Sequence, residues 1–475
     1  MGDDNADGLT PQTPWKSFDK LDGLTLNPGD SILLARGSDF HQILEVSATG
    51  SESRPIVIDA YGDGARPIVA APDSSLYAVC VRNSSYLILQ NIEIVNKGTS
   101  RMPARTGVKI SADNSGVSRD ITLNSLYIHD VNGSLVKEEG GGSGILIETR
   151  SDSVASRFDG LVIENCILRR CERNGMIWAC DTWSRRRWGN PSTGVAVRHN
   201  LLEEIPGDGI VPIGCNSAVI EYNLMRDCTA LLPDTEAAAG FWPWSCDNTV
   251  IRFNEVTGLS TPWDSQAYDS DYNCNNTLIE YNYSHLNDGG LILICNDGGL
   301  GPEDNAGNVG TVVRYNLSIN DGVRERLTRA GTFSPGIHIA GPVRNTLIEN
   351  NILYVGPKPS GKVDRCIITS DSWNGYADST FVRGNVFFAA EPTTFRMTGS
   401  TANEFSDNIY IGSFSNLPSD ATARRSSDTF EKTVSASGTP DEAFGFLLRE
   451  VPVAGGEATL RTVDPEAIRA FFKTL

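Results

Sequence analysis

The sequence predicts an all-β parallel β-helix, and three observations carry that prediction. An asparagine returns in one setting at Asn91, Asn124, Asn165, Asn200, Asn223, Asn254, Asn282, Asn316, Asn351, Asn385 and Asn408, at intervals of 23 to 41 residues. Most of these asparagines stand between two β-prone runs, as in Thr249-Val-Ile-Arg-Phe-Asn254-Glu-Val. A repeat of that size marks a solenoid, a propeller or an array. The helical spacing of apolar residues is nearly absent from 80 to 415, which disfavours helical and leucine-rich repeats. Each unit holds two or three short strands, too few for a propeller blade. Coils of three short strands, with loops of varying length at fixed turns, account for the variable interval.

The asparagines suit this architecture for two reasons. Stacked Asn side chains hydrogen-bond along the axis, as in cross-β stacks. A turn Asn also tolerates the left-handed backbone of a sharp corner. A second row is formed by Cys180, Cys215, Cys246, Cys274 and Cys295, each closing a strand, four of them after a Gly. Thiols in one slot of successive coils read as small buried apolar side chains rather than disulfides, and a chain of 475 residues has core enough without staples.

The ends differ from the middle. Residues 1–78 read as an N-terminal capping segment with the first coils, 79–415 as the β-helix, and 416–475 as a C-terminal capping segment. Thr13-Pro14-Trp15 opens a short amphipathic helix with an N-cap Thr and Pro at the first helical position. Asp464-Pro465 opens a C-terminal helix in the same way. A solenoid needs its exposed terminal coils covered. The whole reads as one domain of about eleven coils with short helical caps.

These asparagine-punctuated coils, with Thr13-Pro-Trp-Lys-Ser-Phe-Asp-Lys-Leu and Pro28-Gly-Asp-Ser-Ile-Leu-Leu, resemble the pectate-lyase-like, right-handed parallel β-helix superfamily of carbohydrate-active enzymes. The resemblance covers roughly residues 13 to 415. It implies right-handed coils and action on a glycan. It implies no particular reaction, since one scaffold carries lyases, hydrolases and epimerases. The pectate lyase and polygalacturonase catalytic motifs are absent, so no catalytic set carries over.

Composition narrows the partners. The net charge is −19 and basic runs are few, Arg185-Arg186-Arg187 being the main one. That disfavours nucleic acid, and disfavours a polyanion unless calcium or a local basic patch intervenes. No apolar run is long enough for a membrane span. The expected partner is a polysaccharide or oligosaccharide, with no nucleic acid and no membrane. The opening residues hold no secretory signal, yet polymer-degrading enzymes work outside the cytoplasm, so a secreted or periplasmic location is expected. No cofactor is required; calcium is an allowed ligand.

Long loops locate a site on a solenoid, and here they cluster between 178 and 300. Counting back from the cysteines places Asp271 level with Pro243 and Asp269 level with Phe241. Alternation then puts Asp269 and Asp271 on one face. Two unpaired carboxylates are too costly for the core, so they point into the groove. Close acids hold different proton affinities, which is what glycoside hydrolysis requires. Asp288 and Asp208, in matching Asp-Gly corners, Glu236 in the 229–240 loop, and His285 are the further acid–base candidates. Trp183, Trp188 and Trp263 are candidate sugar platforms. Trp242 and Trp244 join them but point inward in the same count. Arg187, within the basic run, and His338 complete the substrate-binding set. No metal ligand set is assigned. The expected activity is glycosidic hydrolysis. The alternatives are a polysaccharide lyase, with Arg or calcium holding a uronate, and a non-enzymatic glycan-binding solenoid.

Overall fold

The computed structural model describes residues 2–187, 189–327, 331–357, 360, 364–425, 432, 434–435 and 438–475. The chain is a right-handed parallel β-helix. Three parallel sheets run its length. The first begins at Ser31–Ala35 and reaches Glu404–Ser406. The second begins at Asp39–Phe40 and ends at Ile409–Ser415. The third begins at Leu44–Val46 and continues through Asn174–Cys180, Ile210–Val211, Tyr268–Ser270, Ile292–Cys295, Phe333–Ala340 and Asp364–Asp371. Inward positions of all three sheets form one continuous apolar core.

The asparagine row is a hydrogen-bonded ladder over eight coils, from Asn200 to Asn408, every member fully buried. Each member's backbone N–H and Nδ2 donate to Oδ1 of the next, at 2.9–3.1 Å. The second Nδ2 hydrogen goes to a carbonyl of the preceding coil, as from Asn282 to Ile251 O at 3.0 Å. The ladder closes on the Cys166 N–H at one end and on Asp420 at the other. Asn91, Asn124 and Asn165 lie outside it. In those coils the slot holds Ile92, Leu126 and Cys166, all fully buried. Asn91 and Asn165 instead take the left-handed corner one residue earlier, with φ of 61° and 55°. Two different jobs for asparagine, separated by one residue, look alike in sequence.

That corner residue has φ near +55° in every ladder coil from His199 to Tyr315. Its side chain is thrown outward, and His199, Tyr222, Phe253, Tyr281 and Tyr315 stack at 5.0–5.5 Å. One residue earlier, charge alternates along the first sheet: Glu164, Arg198, Glu221, Arg252, Glu280, Arg314, Glu349 and Arg383 share one register row. Each Glu pairs with the Arg of the following coil at 2.8–3.0 Å. Opposite charges directly across strands contribute about 0.2–1 kcal/mol each.

Cys215, Cys246 and Cys274 stack in the core, with Cys180 half-buried beside them, and all ten cysteines are free thiols. Cys295 is not in this row; it lies on the outer face. The N-terminal cap is shorter than the expected amphipathic helix, a single 3-10 turn at Phe18–Leu21 whose Phe18 stacks on Phe40. The expected C-terminal helix forms at Pro465–Thr474, capped by Asp464 Oδ1 accepting from Glu466 N and Ala467 N. With the hairpin Leu448–Val453/Ala458–Val463 it lies along the flank over the second sheet and the aromatic stack, rather than over the last coil alone.

Replacing Asn282 with Ala strands the Asn254 N–H and Nδ2 in the core, and unsatisfied buried groups cost about 1–3 kcal/mol each. The expected loss is roughly 2–5 kcal/mol, read as a lowered thermal midpoint. Asn91→Gly, which keeps the left-handed corner and gives up only a half-buried hydrogen bond to Asp59, should cost less than half of that.

Candidate active site

The outer face of the third sheet carries two parallel rows. One runs Asp269, Leu293, His338, Thr369; the other continues from Asp271 through Cys295 and Ala340 to Asp371. Upstream, Phe241 pairs with Tyr268, and the N–H groups of Asp269 and Asp271 donate to Phe241 O and Pro243 O. Asp269 is therefore level with Trp242, and Asp271 with Trp244. This shifts the register counted from the cysteines by one residue. Two residues separate Trp244 from Cys246, but three separate Asp271 from Cys274, so the coil carrying the acids has one extra residue at its corner. Trp242 and Trp244 consequently face outward beside the acids, while Phe241 and Tyr268 fill the core. Asp269 and Asp271 do share the outer face, as expected.

These acids sit in a desolvated setting. Burial, then the charge of Asp271, pushes the Asp269 carboxyl well above the usual range. Burial also raises Asp271, but the Cys295 thiol at 3.1 Å, the Tyr272 N–H at 2.6 Å and the charge of Lys137 favour its ionised form. The two carboxylates and Cys295 Sγ lie within 4.8 Å of one another. Burial and these carboxylates push the thiol proton affinity upward, so the sulfur stays protonated and donates. As one ligand atom each, the three groups fall short of the six to eight oxygens that calcium takes.

The sequence reading missed Asp264. It follows Trp263 in a two-residue strand, and both Asp264 and Ser265 have left-handed backbones, with φ of 61° and 64°. Such geometry persists only where the surroundings hold it, and Arg324 does so here. Its guanidinium, almost fully buried, donates to the carbonyls of Thr261, Pro262 and Asp264. Burial raises Asp264 to about 6; His338 and Arg324 oppose the shift, and Asp271 and Asp208 add to it. Asp264 lines a cavity of about 170 Å³ with Trp263, Gln266, His338, Asp371 and Trp373. The only signal in the sequence was an acid next to a loop tryptophan.

The remaining candidates separate. Asp208 is buried, with Oδ2 on Arg173 at 2.8 Å and Oδ1 accepting from Trp242 Nε1 and Ala239 N. Glu236 pairs with the same buried Arg173 at 3.2 Å and accepts from Lys137 N. These two acids brace Trp242 and the Lys137 loop, with both Asp208 oxygens and Glu236 Oε2 engaged. Asp288 lies at the corner beyond Arg324, held by the Ser260 hydroxyl at 2.7 Å and raised by burial. His285 is not in the cleft. It follows ladder residue Asn282 and so belongs to the second sheet, where it pairs with Glu255 at 2.9 Å under Arg461 of the C-terminal hairpin.

His338 faces the cleft, bonded to Asp371 at 3.1 Å and packed edge-on against Trp373. Trp183 stacks on Trp244 at 5.0 Å, extending the aromatic wall. Trp263 lines the cavity, its Nε1 donating to Asp234 O. Trp188 lies outside the described residues. The basic run is consumed internally: Arg185 binds Asp247, Arg186 binds Glu303 and Asp304, and Arg187 binds Asp181. Arg187 thus anchors its own loop instead of presenting a cation to substrate.

No known protein-family profile matches the chain. It is 26% identical to a lacto-N-biosidase of Bifidobacterium longum subsp. longum, over 93% of this chain and 32% of that protein. The chain is similar to lacto-N-biosidases of known structure as well. Native and selenomethionine crystal structures of the GH136 lacto-N-biosidase from Eubacterium ramulus are 27% and 26% identical to it, each over 88% of this chain. The TM-scores are 0.64 and 0.63, and the matches cover 67% and 66% of those chains. The chain spans about a third of the length of the curated relative. Among the described residues no helix is long and apolar enough to cross a membrane.

Cys295→Ala removes the thiol donor to Asp271 and should lower kcat about 3- to 10-fold, the worth of one ordinary hydrogen bond, since a thiol is a weak donor. Cys295→Ser, which restores a donor, should recover most of the loss.

Proposed function

We propose that this chain is a glycoside hydrolase acting on a lacto-N-bioside or a related neutral oligosaccharide. One observation carries the reading: Asp264, raised to about 6 inside an aromatic-walled cavity, lies close enough to Asp271 for the two charges to interact. A carboxylic acid still partly protonated near neutrality can protonate the leaving glycosidic oxygen. Its partner Asp271, whose ionised form the Cys295 thiol and the Tyr272 N–H favour, serves as nucleophile or base. Asp269, the most desolvated of the three, keeps its proton and spares the site a third negative charge. The similarity to lacto-N-biosidases supports the same reaction class and supplies the candidate substrate.

The cavity indicates how substrate sits. Its volume of about 170 Å³ suits one terminal sugar unit rather than a continuous polymer. The buried Gln266 side-chain oxygen has no hydrogen-bond partner among the described residues. A sugar hydroxyl or amide N–H donating to it would recover the roughly 1–3 kcal/mol that an unsatisfied buried group costs. The lyase alternative loses its main support, because all three arginines of the basic run already hold acids of their own chain.

The test is hydrolysis of an aryl lacto-N-bioside. Release of a reducing sugar without an ultraviolet-absorbing unsaturated product is expected; the unsaturated product would overturn hydrolysis. Asp271→Asn should reduce kcat about 10²–10⁴-fold. Asp264→Asn should do the same on natural glycosides, yet much less on an aryl glycoside whose leaving group needs no proton.

Activity should fall as pH rises through about 6, as Asp264 loses its proton. Stability should move with it. The folded-state value lies above the ordinary 3.8, so the wild type's advantage over Asp264→Asn is full below that value and disappears as pH rises through about 6. Unfolding midpoints of the two proteins across pH 4–7 check this.

A further inference from the structure

The outer face of the third sheet does not end at the acids. The row of Asp269 and His338 continues in register through Thr369 to Arg396, whose strand is the next rung, while the other row reaches Asp371 beside Thr369. Strands are spaced by about 4.8 Å, so Arg396 stands four rungs, or roughly 19 Å, from Asp269. There a second cavity opens, of about 580 Å³, within the range of ligand-binding pockets. Asp371 lines both cavities, so the two are neighbours.

The walls of the second cavity suit a sugar. Met397 gives it apolar surface above the core residues Phe395 and Phe405, while Thr398, Asn403 and Asn416 give it polar atoms. Asn403 donates Nδ2 to Ser400 at 2.8 Å, but its Oδ1 is buried without a partner among the described residues. The charged groups are already neutralised: both Arg396 terminal nitrogens lie 2.7 Å from Asp364, and Asp371 is bound to His338. A uronate or sialate carboxylate would find no free cation there among the described residues.

We propose that this second cavity binds a neutral sugar unit of the same oligosaccharide whose other end lies at Asp264 and Asp271. The substrate is then a chain long enough to bridge four rungs, and the enzyme gains affinity from sugars remote from the cleaved bond. The proposal takes its ligand class from the glycosidase reading, but its distal residues take no part in the chemistry.

The test compares an aryl lacto-N-bioside with a series of lacto-N-biosides extended by neutral sugar units. In the wild type kcat/KM should rise with chain length, chiefly through KM. Asn403→Leu, which removes the waiting acceptor, should abolish roughly 3- to 10-fold of that rise, the worth of one hydrogen bond, and leave the aryl glycoside unaffected. Met397→Ala should act in the same direction. A length dependence identical in wild type and both variants would overturn the proposal, as would none in the wild type. Equal loss on the short substrate would assign these residues to folding and overturn it too. Failure of the glycosidase reading would show separately, as inactivity of the wild type on the aryl substrate. In that event isothermal titration of Asp271→Asn with the longest glycan still decides: binding weakened by Asn403→Leu upholds the proposal, and unchanged binding overturns it.

Discussion

A backbone N–H turned inward at a solenoid corner has to find an acceptor, because a buried one left alone costs about 1–3 kcal/mol. From Asn200 onward the side-chain oxygen of the next coil's asparagine supplies it. Everything that positions the site follows from this bond. It fixes where each coil turns from the first sheet into the second, and hence which residues of the third sheet arrive level with one another. The acids and the tryptophans that wall them are in register because the corners a third of a turn away are pinned.

Much of this was legible in the sequence, for physical reasons. The repeat showed because a buried corner tolerates few side chains. The outward direction of Asp269 and Asp271 showed because an apolar core does not accept paired carboxylates. The facing of Trp242 and Trp244 did not show. Side-chain direction in a strand reverses with every residue, and one extra residue before Cys274 sufficed to invert the answer. His285 could have been placed correctly. Three residues after a ladder asparagine is always the second sheet, and the cleft is on the third.

Asp264 was illegible for a different reason. Its role depends on two consecutive left-handed residues and on Arg324, which lies 60 residues away in sequence. No local pattern encodes such a clamp. Arg187 failed in the opposite sense: a basic run in an acidic protein looks like a ligand site until its partners, Asp181, Asp247, Glu303 and Asp304, are brought to it by the fold.

The alternating Glu and Arg row on the first sheet sets a parity for the molecule. Each coil between Glu164 and Arg383 is complementary to its neighbours and matched in sign to the coils two away. Excising one coil would bring like charges face to face at the scar, and duplicating one would do the same. Excising or duplicating two would preserve the alternation. The length of this solenoid can therefore change cheaply only in even steps, so that its unit of inheritance is a pair of coils, though its unit of folding is one.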